Sequence, residues 1–364
     1  MREDAAKFVS GGLSASPERE SRQPRERTDE REKMASGMKR AQWVVWLLVL
    51  VLVGAGDRAL AAPVDTLLIG DSITRGFDPV GDGDEIDWDG DIHGGWRAPL
   101  YVKAHEWGID LNYLGREDTG PSTVEVNGQS VPFDGQHEGH NGARIDTTLT
   151  SDSGAHSILD RLPDMFDTNN GGTDAAEIDY IFLSIGINDV RDREDNGMSY
   201  DSTDSRYTPN RLNNLVSEIK NILDSAGNLT AKLMVSNVLP VRDEFSNFSN
   251  VTEPFGDELN QDIITFNTAL ADFFDGNGAH LTLDEVYLLD PHSIINADRE
   301  TYIHTFNSDG NPDYLHMTVE GNQALADYYA TVIPEPGTLA LFVVGAGLLA
   351  FRPRRGRASR HAMR

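Results

Sequence analysis

The middle of the chain alternates between short apolar runs and longer segments in which apolar residues recur every three or four positions. The short runs are nearly continuous and end at turn residues, as buried parallel strands do. The clearest helical period begins at Pro209 and places Leu212, Leu215, Val216, Ile219, Ile222 and Leu223 on one face. The predicted strands are Thr66–Ile69, Leu111–Leu114, Tyr180–Ile185, Lys232–Ser236 and Val286–Leu289, and the other predicted helices are Pro99–Glu106, Leu259–Phe274 and Val319–Val332.

Strands that alternate with helices predict an α/β fold with a doubly wound, parallel sheet of about five strands. Residues 62–333 contain no internal repeat and no long low-complexity linker, so we interpret them as one domain. Ligands of such a sheet bind at the carboxyl ends of its strands. The chemistry is therefore expected in the segments that directly follow the predicted strands.

An apolar run before this domain predicts export. Lys39 and Arg40 precede Trp43–Val53, which is short for a bilayer span, and Ala59-Leu60-Ala61 follows. A positive region, a short apolar run and an A-x-A site are typical of a secretory signal peptide, here residues 38–61. An uncleaved membrane anchor is the alternative. Residues 1–37 are either a charged lead or the product of a mis-assigned start.

A second apolar run ends the chain. Pro334-Glu335-Pro336 leads into Thr338–Phe351, and an arginine cluster begins at Arg352. This order resembles the PEP-CTERM sorting signal of Gram-negative bacteria, in which the Pro-Glu-Pro motif is processed by an exosortase. The resemblance implies transient membrane association of residues 334–364 and a protein of the cell surface, the matrix or the medium. A plain tail anchor is the alternative.

Composition narrows the possible chemistry. The chain has no cysteine, which excludes disulfides, thiolate zinc sites, iron–sulfur clusters and a cysteine nucleophile. Its formal net charge is −28, and residues 62–333 hold 49 acidic but only 14 basic residues. This balance argues against nucleic acid, whose phosphates are bound by Lys and Arg, and against anionic substrates in general.

The first predicted strand runs into Gly70-Asp71-Ser72. The glycine permits a sharp turn that would leave the Ser72 hydroxyl free at the carboxyl edge of the sheet, near a helix N-terminus. Ser72 is therefore a candidate nucleophile. The same three residues also make ordinary turns and helix N-caps.

A serine nucleophile needs a base, and Asp313 and His316 supply a candidate pair just before the last predicted helix. With two residues between them in a turn, the carboxylate is expected to reach the imidazole, fix its tautomer and stabilise its protonated form. A surface or helix-capping histidine is the alternative for His316.

Two further segments offer hydrogen-bond donors. Asn188 follows the third predicted strand, where burial of an amide is costly unless the amide is used. Gly142, in a segment rich in His and Gly, allows its backbone N–H to approach a substrate oxygen. Both are candidate donors to an oxyanion, with ordinary loop residues as the alternative.

Together these segments resemble the SGNH, or GDSL, hydrolase superfamily over nearly all of residues 64–332. The matches are Gly70-Asp71-Ser72, Gly142, Gly186-Ile187-Asn188-Asp189, and Asp313 with His316. The resemblance implies a single flavodoxin-like, three-layer domain and a Ser72–His316–Asp313 mechanism without metal or organic cofactor. It also implies an oxyanion hole formed by the backbone N–H groups of Ser72 and Gly142 and by the Asn188 side chain.

Within the superfamily, Gly95–Tyr101 and His137–Gly142 look most like the carbohydrate esterases that remove acetyl groups from xylan and related glycans. This likeness implies substrate-binding roles for Trp96, Arg97 and His140. Trp96 is a candidate for stacking on a sugar ring, or else for packing in the core.

The chain departs from the family pattern at two positions beside the site. Met317 stands where many relatives have Pro, and Ala143 stands where this branch often has Trp. Both departures concern the identity of the substrate rather than the chemistry.

Two polar segments remain. The acidic run Asp82–Asp91 is either a Ca²⁺ loop or a solvated loop, and it departs from the EF-hand pattern. The polar stretch Arg191–Tyr207 is predicted to form a lid or rim over the cleft.

The sequence thus predicts an exported serine esterase that removes acetyl groups from polysaccharide. A lipid or lysophospholipid esterase of the same superfamily is one alternative, but segments rich in Gly, Asp and Asn do not favour a broad apolar cleft. A non-catalytic glycan-binding module is the other, and the intact set of serine, histidine, aspartate and asparagine argues against it.

Overall fold

The structure is a computed structural model that describes residues 62–76, 94–146, 157–191, 208–245, 256–274, 285–305 and 313–333. All of them belong to the unit that begins at Ala62. The predicted signal peptide and sorting signal, the acidic run Asp82–Asp91 and nearly all of the predicted lid lie outside the described residues. No helix in the described ranges is long and apolar enough to cross a membrane.

The described residues form a seven-stranded sheet, a two-stranded hairpin and nine α-helices. In chain order these are β1 (Val64–Gly70), α1 (Ser72–Arg75), α2 (Arg97–Glu106), β2 (Leu111–Leu114), β3 (Glu117–Asp118), β4 (Thr123–Val126), β5 (Gln129–Pro132), β6 (Gln136–Gly139), α3 (Ile158–Met165), β7 (Tyr180–Ser184), α4 (Ile187–Arg191), α5 (Thr208–Ser225), β8 (Lys232–Ser236), α6 (Gly256–Phe274), β9 (Val286–Leu289), α7 (Pro291–Asn296), α8 (Arg299–Tyr302) and α9 (Val319–Ala330).

Five parallel strands form the centre of the sheet in the order β2-β1-β7-β8-β9, which is the flavodoxin-like order. Each corresponds to one of the predicted strands, so the predicted α/β class and parallel sheet are confirmed. Beyond β2, the carboxyl end of β1 pairs in parallel with β6, and β3 pairs antiparallel to β6. The hairpin β4–β5, β3 and β6 were not predicted.

The strand order explains why the helices cover both faces of the sheet. The connection from β1 through α2 to β2 runs toward one edge, whereas the connections through α5 and α6 run toward the other edge. Parallel crossovers are right-handed, so the two directions place α2 and the pair α5–α6 on opposite faces. The direction changes between β1 and β7, and ligands of doubly wound sheets bind at the carboxyl side of this switch point.

Trp96 belongs to the core. It is 1% exposed, and its ring lies 4.6 Å from that of Tyr329 on α9 and 6.2 Å from that of Phe182 on β7. Aromatic contacts at these distances stabilise the packing between helices and sheet. This burial favours the second alternative, packing in the core, over the predicted contact with substrate.

Candidate active site

Ser72 lies at the carboxyl edge of the sheet, directly after β1. Gly70 pairs with Ser184 of β7 and with Gly139 of β6, and a Cβ atom at Gly70 would collide with the Ser184 carbonyl oxygen and the Thr74 side chain. Glycine therefore lets β1 turn into α1 at close quarters. The Asp71 carboxylate caps α1 by accepting the Ile73 N–H at 3.0 Å, so Ser72 becomes the first helical residue.

Ser72, His316 and Asp313 form a continuous hydrogen-bonded chain. The Ser72 Oγ lies 2.9 Å from His316 Nε2, and His316 Nδ1 lies 2.9 Å from Asp313 Oδ2. The predicted contact between the carboxylate and the imidazole is confirmed. Because an ionised carboxylate only accepts, Nδ1 carries the proton and Nε2 presents its lone pair to the serine hydroxyl. This is the arrangement of a nucleophile with its general base.

The Asp313 carboxylate is ionised in this setting. It is 3% exposed, and burial by itself would raise its pKa. The neighbouring His316 and the backbone N–H groups of Leu315 and His316, which donate to Oδ1 at 3.1 and 3.2 Å, lower the pKa of Asp313 to about 2. A negative charge is therefore available at neutral pH to stabilise a protonated His316.

Backbone contacts hold the segment that carries Asp313 and His316. The Arg242 N–H donates to the Tyr314 carbonyl at 3.0 Å, and the His304 N–H donates to the His316 carbonyl at 2.9 Å. Met317 is 4% exposed and forms an antiparallel bridge with Ile303. These contacts come from the segments after β8 and α8, not from the neighbourhood of Ser72.

The three predicted oxyanion donors follow three neighbouring strands, β1, β6 and β7. Gly142 has a φ of +69°, and a Cβ there would meet no atom within 4 Å, so the backbone angle rather than space calls for glycine. No described residue accepts the N–H of Ser72 or of Gly142. Asn188 is 2% exposed, and one N–H of its amide donates to the Ala143 carbonyl at 2.9 Å, which leaves the second N–H for another acceptor.

His140 is 7% exposed, about as much as Ser72, and its Nε2 lies 3.2 Å from Glu138 Oε2. Glu138 is fully buried and also binds Arg116, whose Nε lies 2.9 Å from Oε1. Burial would raise the pKa of Glu138, but the hydrogen bonds from His140 and Arg116 lower it. The imidazole of His140 is thus held by protein, and its contact with substrate stays a prediction.

Arg97 is fully buried and its guanidinium is occupied by backbone oxygens. Its donors reach the carbonyls of Thr74, Arg75 and Gly135 at 3.0, 2.7 and 2.7 Å, and Thr119 accepts as well. This burial and bonding favour a structural role for Arg97 over the predicted contact with substrate. The side chain instead holds the last turn of α1, the helix that begins at Ser72.

Sequence reasoning missed Arg211, which lies 2.6 Å from Asp189 and 2.7 Å from Asp146. Arg211 is 2% exposed and Asp189 is fully buried. One signal was present in the sequence: Arg211 stands one turn before Leu215, on the apolar side of its helix. A charged residue at such a position indicates a buried ionic partner.

A buried serine, a partly buried histidine and a buried aspartate, joined by hydrogen bonds at the carboxyl edge of a doubly wound sheet, define an α/β serine hydrolase. The family model described as GDSL-like Lipase/Acylhydrolase matches residues 67–329, and the chain belongs to this family. It is accordingly a carboxylic ester hydrolase. Comparison with curated proteins found no match.

Several solved structures are similar to this chain. The carbohydrate acetylesterase Est24 from Sinorhizobium meliloti is 16% identical and is covered over 99% of its length by 76% of this chain, with a TM-score of 0.44. The lipase Lip_vut3 from a goat rumen metagenome is 13% identical; the match covers 96% of that lipase and 74% of this chain, with a TM-score of 0.42. A member of the lipolytic G-D-S-L family from Veillonella parvula DSM 2008 is 14% identical; the match covers 97% of that protein and 74% of this chain, with a TM-score of 0.40. At these identities the likenesses carry no argument about the substrate.

Proposed function

We propose that this chain is an exported serine esterase that removes acetyl groups from polysaccharide. The observation that carries the catalytic part is the hydrogen-bonded chain from Ser72 Oγ through His316 to Asp313. Ser72 and His316 are 244 positions apart in the sequence, so the fold itself brings them together. An exposed, capping histidine would not need a buried carboxylate on one nitrogen and a serine hydroxyl on the other.

The geometry supports a two-step reaction. His316 Nε2 takes the Ser72 proton as Oγ attacks the acetyl carbonyl, and the Asp313 carboxylate stabilises the resulting imidazolium. The N–H groups of Ser72 and Gly142 and the free N–H of Asn188 stabilise the oxyanion. The bond from the acetyl carbon to the sugar oxygen then breaks, and His316 gives its proton to that oxygen, which leaves as a hydroxyl group. Water attacks the acetyl-enzyme by the same path, releases acetate and restores Ser72. No step asks for a metal or an organic cofactor.

The surroundings of Ser72 support a short acyl group. The segments 70–76, 139–146 and 184–191 follow the three strands of the site, and none of them exposes a large apolar side chain. A long acyl chain would need such side chains to bury its methylenes, each of which gains about 0.8 kcal/mol on leaving water. Acetyl, with one methyl group, needs none.

Hydrolysis by the purified protein tests this function. Acetate release is measured from a panel of acetylated polysaccharides, and rates are compared on p-nitrophenyl esters from acetyl to octanoyl. We expect the acetyl ester to be preferred and Ser72→Ala to lower kcat at least about a thousandfold while its thermal unfolding stays unchanged. Preference for octanoyl would instead establish the lipid esterase, and glycan binding without turnover would establish a binding module.

Export is the second part of the proposal. Signal peptidase would cleave after Ala61, and an exosortase-type enzyme would act at Pro334–Pro336, so that residues 334–364 hold the protein at the membrane only transiently. Mass spectrometry of the protein recovered from a Gram-negative host with such an enzyme checks both sites. A protein that keeps both apolar runs would contradict the proposal.

A further inference from the structure

Arg211 forms an ionic cluster with Asp189, which is fully buried, and with Asp146, which is partly buried. Arg211 Nη2 lies 2.6 Å from Asp189 Oδ1, and Arg211 Nε lies 2.8 Å from Asp146 Oδ1. The guanidinium thus joins α5 to two other segments, because Asp189 is on α4 and Asp146 follows the Gly142 turn. A buried charge is retained only when its partners are well placed, so the cluster has one favourable geometry.

Both carboxylates belong to segments that carry predicted oxyanion donors, because Asp146 follows Gly142 by four residues. Asp189 directly follows Asn188, and its Oδ2 accepts the Ile145 N–H at 3.1 Å. Asn188 in turn donates to the Ala143 carbonyl at 2.9 Å. The segment that carries Gly142 is therefore held by Asn188, Asp189 and Arg211 at residues 143, 145 and 146.

The serine, histidine and aspartate of the mechanism depend on other contacts. Arg97 holds the end of the helix that begins at Ser72, and the N–H groups of Arg242 and His304 hold the segment of Asp313 and His316. None of these contacts involves Arg211. Loss of Arg211 should therefore disturb the oxyanion donors without disturbing the nucleophile and its base.

We propose that Arg211 is a positioning residue for ester hydrolysis: through Asp189 and Asp146 it fixes Asn188 and the Gly142 turn relative to each other. The proposal rests on the mechanism given above, in which these groups bind the oxyanion. Oxyanion donors act on the transition state more than on the bound ester, so their displacement should lower kcat and leave KM nearly unchanged.

Two variants of Arg211 separate positioning from general stability. Arg211→Met keeps the aliphatic stem but removes the charge, and Arg211→Lys offers one ammonium that reaches only one carboxylate at a time. With p-nitrophenyl acetate we expect kcat to fall about a hundredfold for Met and by less for Lys, with KM within about threefold of the parent value.

Lys220→Met is the matched control. Lys220 is a buried cation on the same helix, α5, but its ion-pair partner is Asp224 on that helix. We expect this variant to lose stability and keep kcat. All kinetics are measured where circular dichroism shows the variants to be folded. Should Arg211→Met be unstable at every temperature, Asp146→Asn removes one half of the cluster and should give a smaller loss of kcat.

Amide hydrogen exchange gives a readout that does not depend on the reaction. In Arg211→Met, exchange should accelerate in residues 142–146 and 187–191 and stay unchanged in residues 313–318. A folded Arg211→Met protein with parental kcat, or with a loss that Lys220→Met shares, would overturn the proposal. If Ser72→Ala retained activity, the mechanism would be wrong, whereas the exchange pattern would still decide whether Arg211 fixes the Gly142 turn.

Discussion

Two buried carboxyl groups near Ser72 have pKa values shifted in opposite directions. Asp313 accepts backbone N–H groups from two residues and faces an imidazole, which lower its pKa to about 2 against the effect of burial. Asp71 is 2% exposed, accepts one N–H from Ile73, and burial raises its pKa to about 7 despite that bond and His316. Direct contact with His316, together with the number of backbone donors, decides the outcome, because burial always favours the neutral acid.

Asp71 therefore makes stability depend on pH. A carboxyl whose pKa is raised on folding binds more protons in the folded than in the unfolded state between about pH 4 and 7, so stability falls as pH rises through this window. Asp71→Asn keeps an N-cap without the charge. We expect its free energy of unfolding to exceed the parental value by about 2 to 4 kcal/mol at about pH 8, and the gain to vanish near pH 4.

Urea unfolding at both pH values measures this effect. Asp290→Asn is the control, because Asp290 also caps a helix, α7, by accepting the Ser293 N–H. Burial would raise the pKa of Asp290, but hydrogen bonds from Ser293 and Asn237 lower it below the ordinary value. Its substitution should cost stability at neutral pH. Destabilisation by Asp71→Asn at about pH 8 would instead show that burial imposes no penalty on the ionised Asp71 carboxyl.

At the scale of elements, the apolar pattern predicted the strands and helices that pack through apolar side chains. The five predicted strands and the long helices carry continuous or periodic apolar residues, and the structure places all of them. β6 was not predicted because its buried residues His137 and Glu138 are polar. His137 is hydrogen-bonded to Thr119 at 2.6 Å, and Glu138 is hydrogen-bonded to Arg116. A strand whose buried side chains are paired with partners distant in sequence gives no apolar signal.

Arg97 is also a buried polar residue whose partners are distant in sequence, and its substitution tests the structural role that its contacts favour. Arg97→Met leaves the carbonyls of Thr74, Arg75 and Gly135 without their buried donor, so we expect a loss of about 3 to 5 kcal/mol in unfolding free energy. Loss of activity should be equal on p-nitrophenyl acetate and on acetylated glycan, because the side chain does not reach substrate.

Arg299→Met is the comparison for Arg97→Met, since Arg299 is partly exposed and pairs with the exposed Asp243. An exposed pair contributes little, so this variant should lose less than about 1 kcal/mol. Chemical denaturation and parallel kinetics on the two substrates provide the measurements. A selective rise in KM for the glycan in folded Arg97→Met would restore the substrate-binding role.

At the scale of the whole molecule, the site is assembled where the strand order reverses. Ser72 follows β1 and Asn188 follows β7, on the two sides of the switch point, and each was predictable because it follows an apolar strand. The partner of Asp189 was not predictable, because Arg211 reaches it from a helix that no local pattern connects to the site. The amino-acid sequence thus predicts the site residues that directly follow strands. The residues that position them reach the site through tertiary packing, which no local pattern shows.

The surplus of acidic residues also acts at this scale. Residues 62–333 contain 49 acidic and 14 basic residues, so the field around the enzyme should repel anionic polymers. Repulsion between exposed charges is screened within about 10 Å at 0.1 M salt.

We expect kcat/KM on an acetylated polyuronate to rise at least about threefold between low and moderate salt, and kcat/KM on neutral acetylated xylan to stay constant. Acetate release from both polymers across a sodium chloride series measures this, and p-nitrophenyl acetate controls for direct effects of salt on the enzyme. A polyuronate hydrolysed fastest at low salt would mean that basic residues at the cleft outweigh the net charge, and the preference for neutral glycans would have to be abandoned.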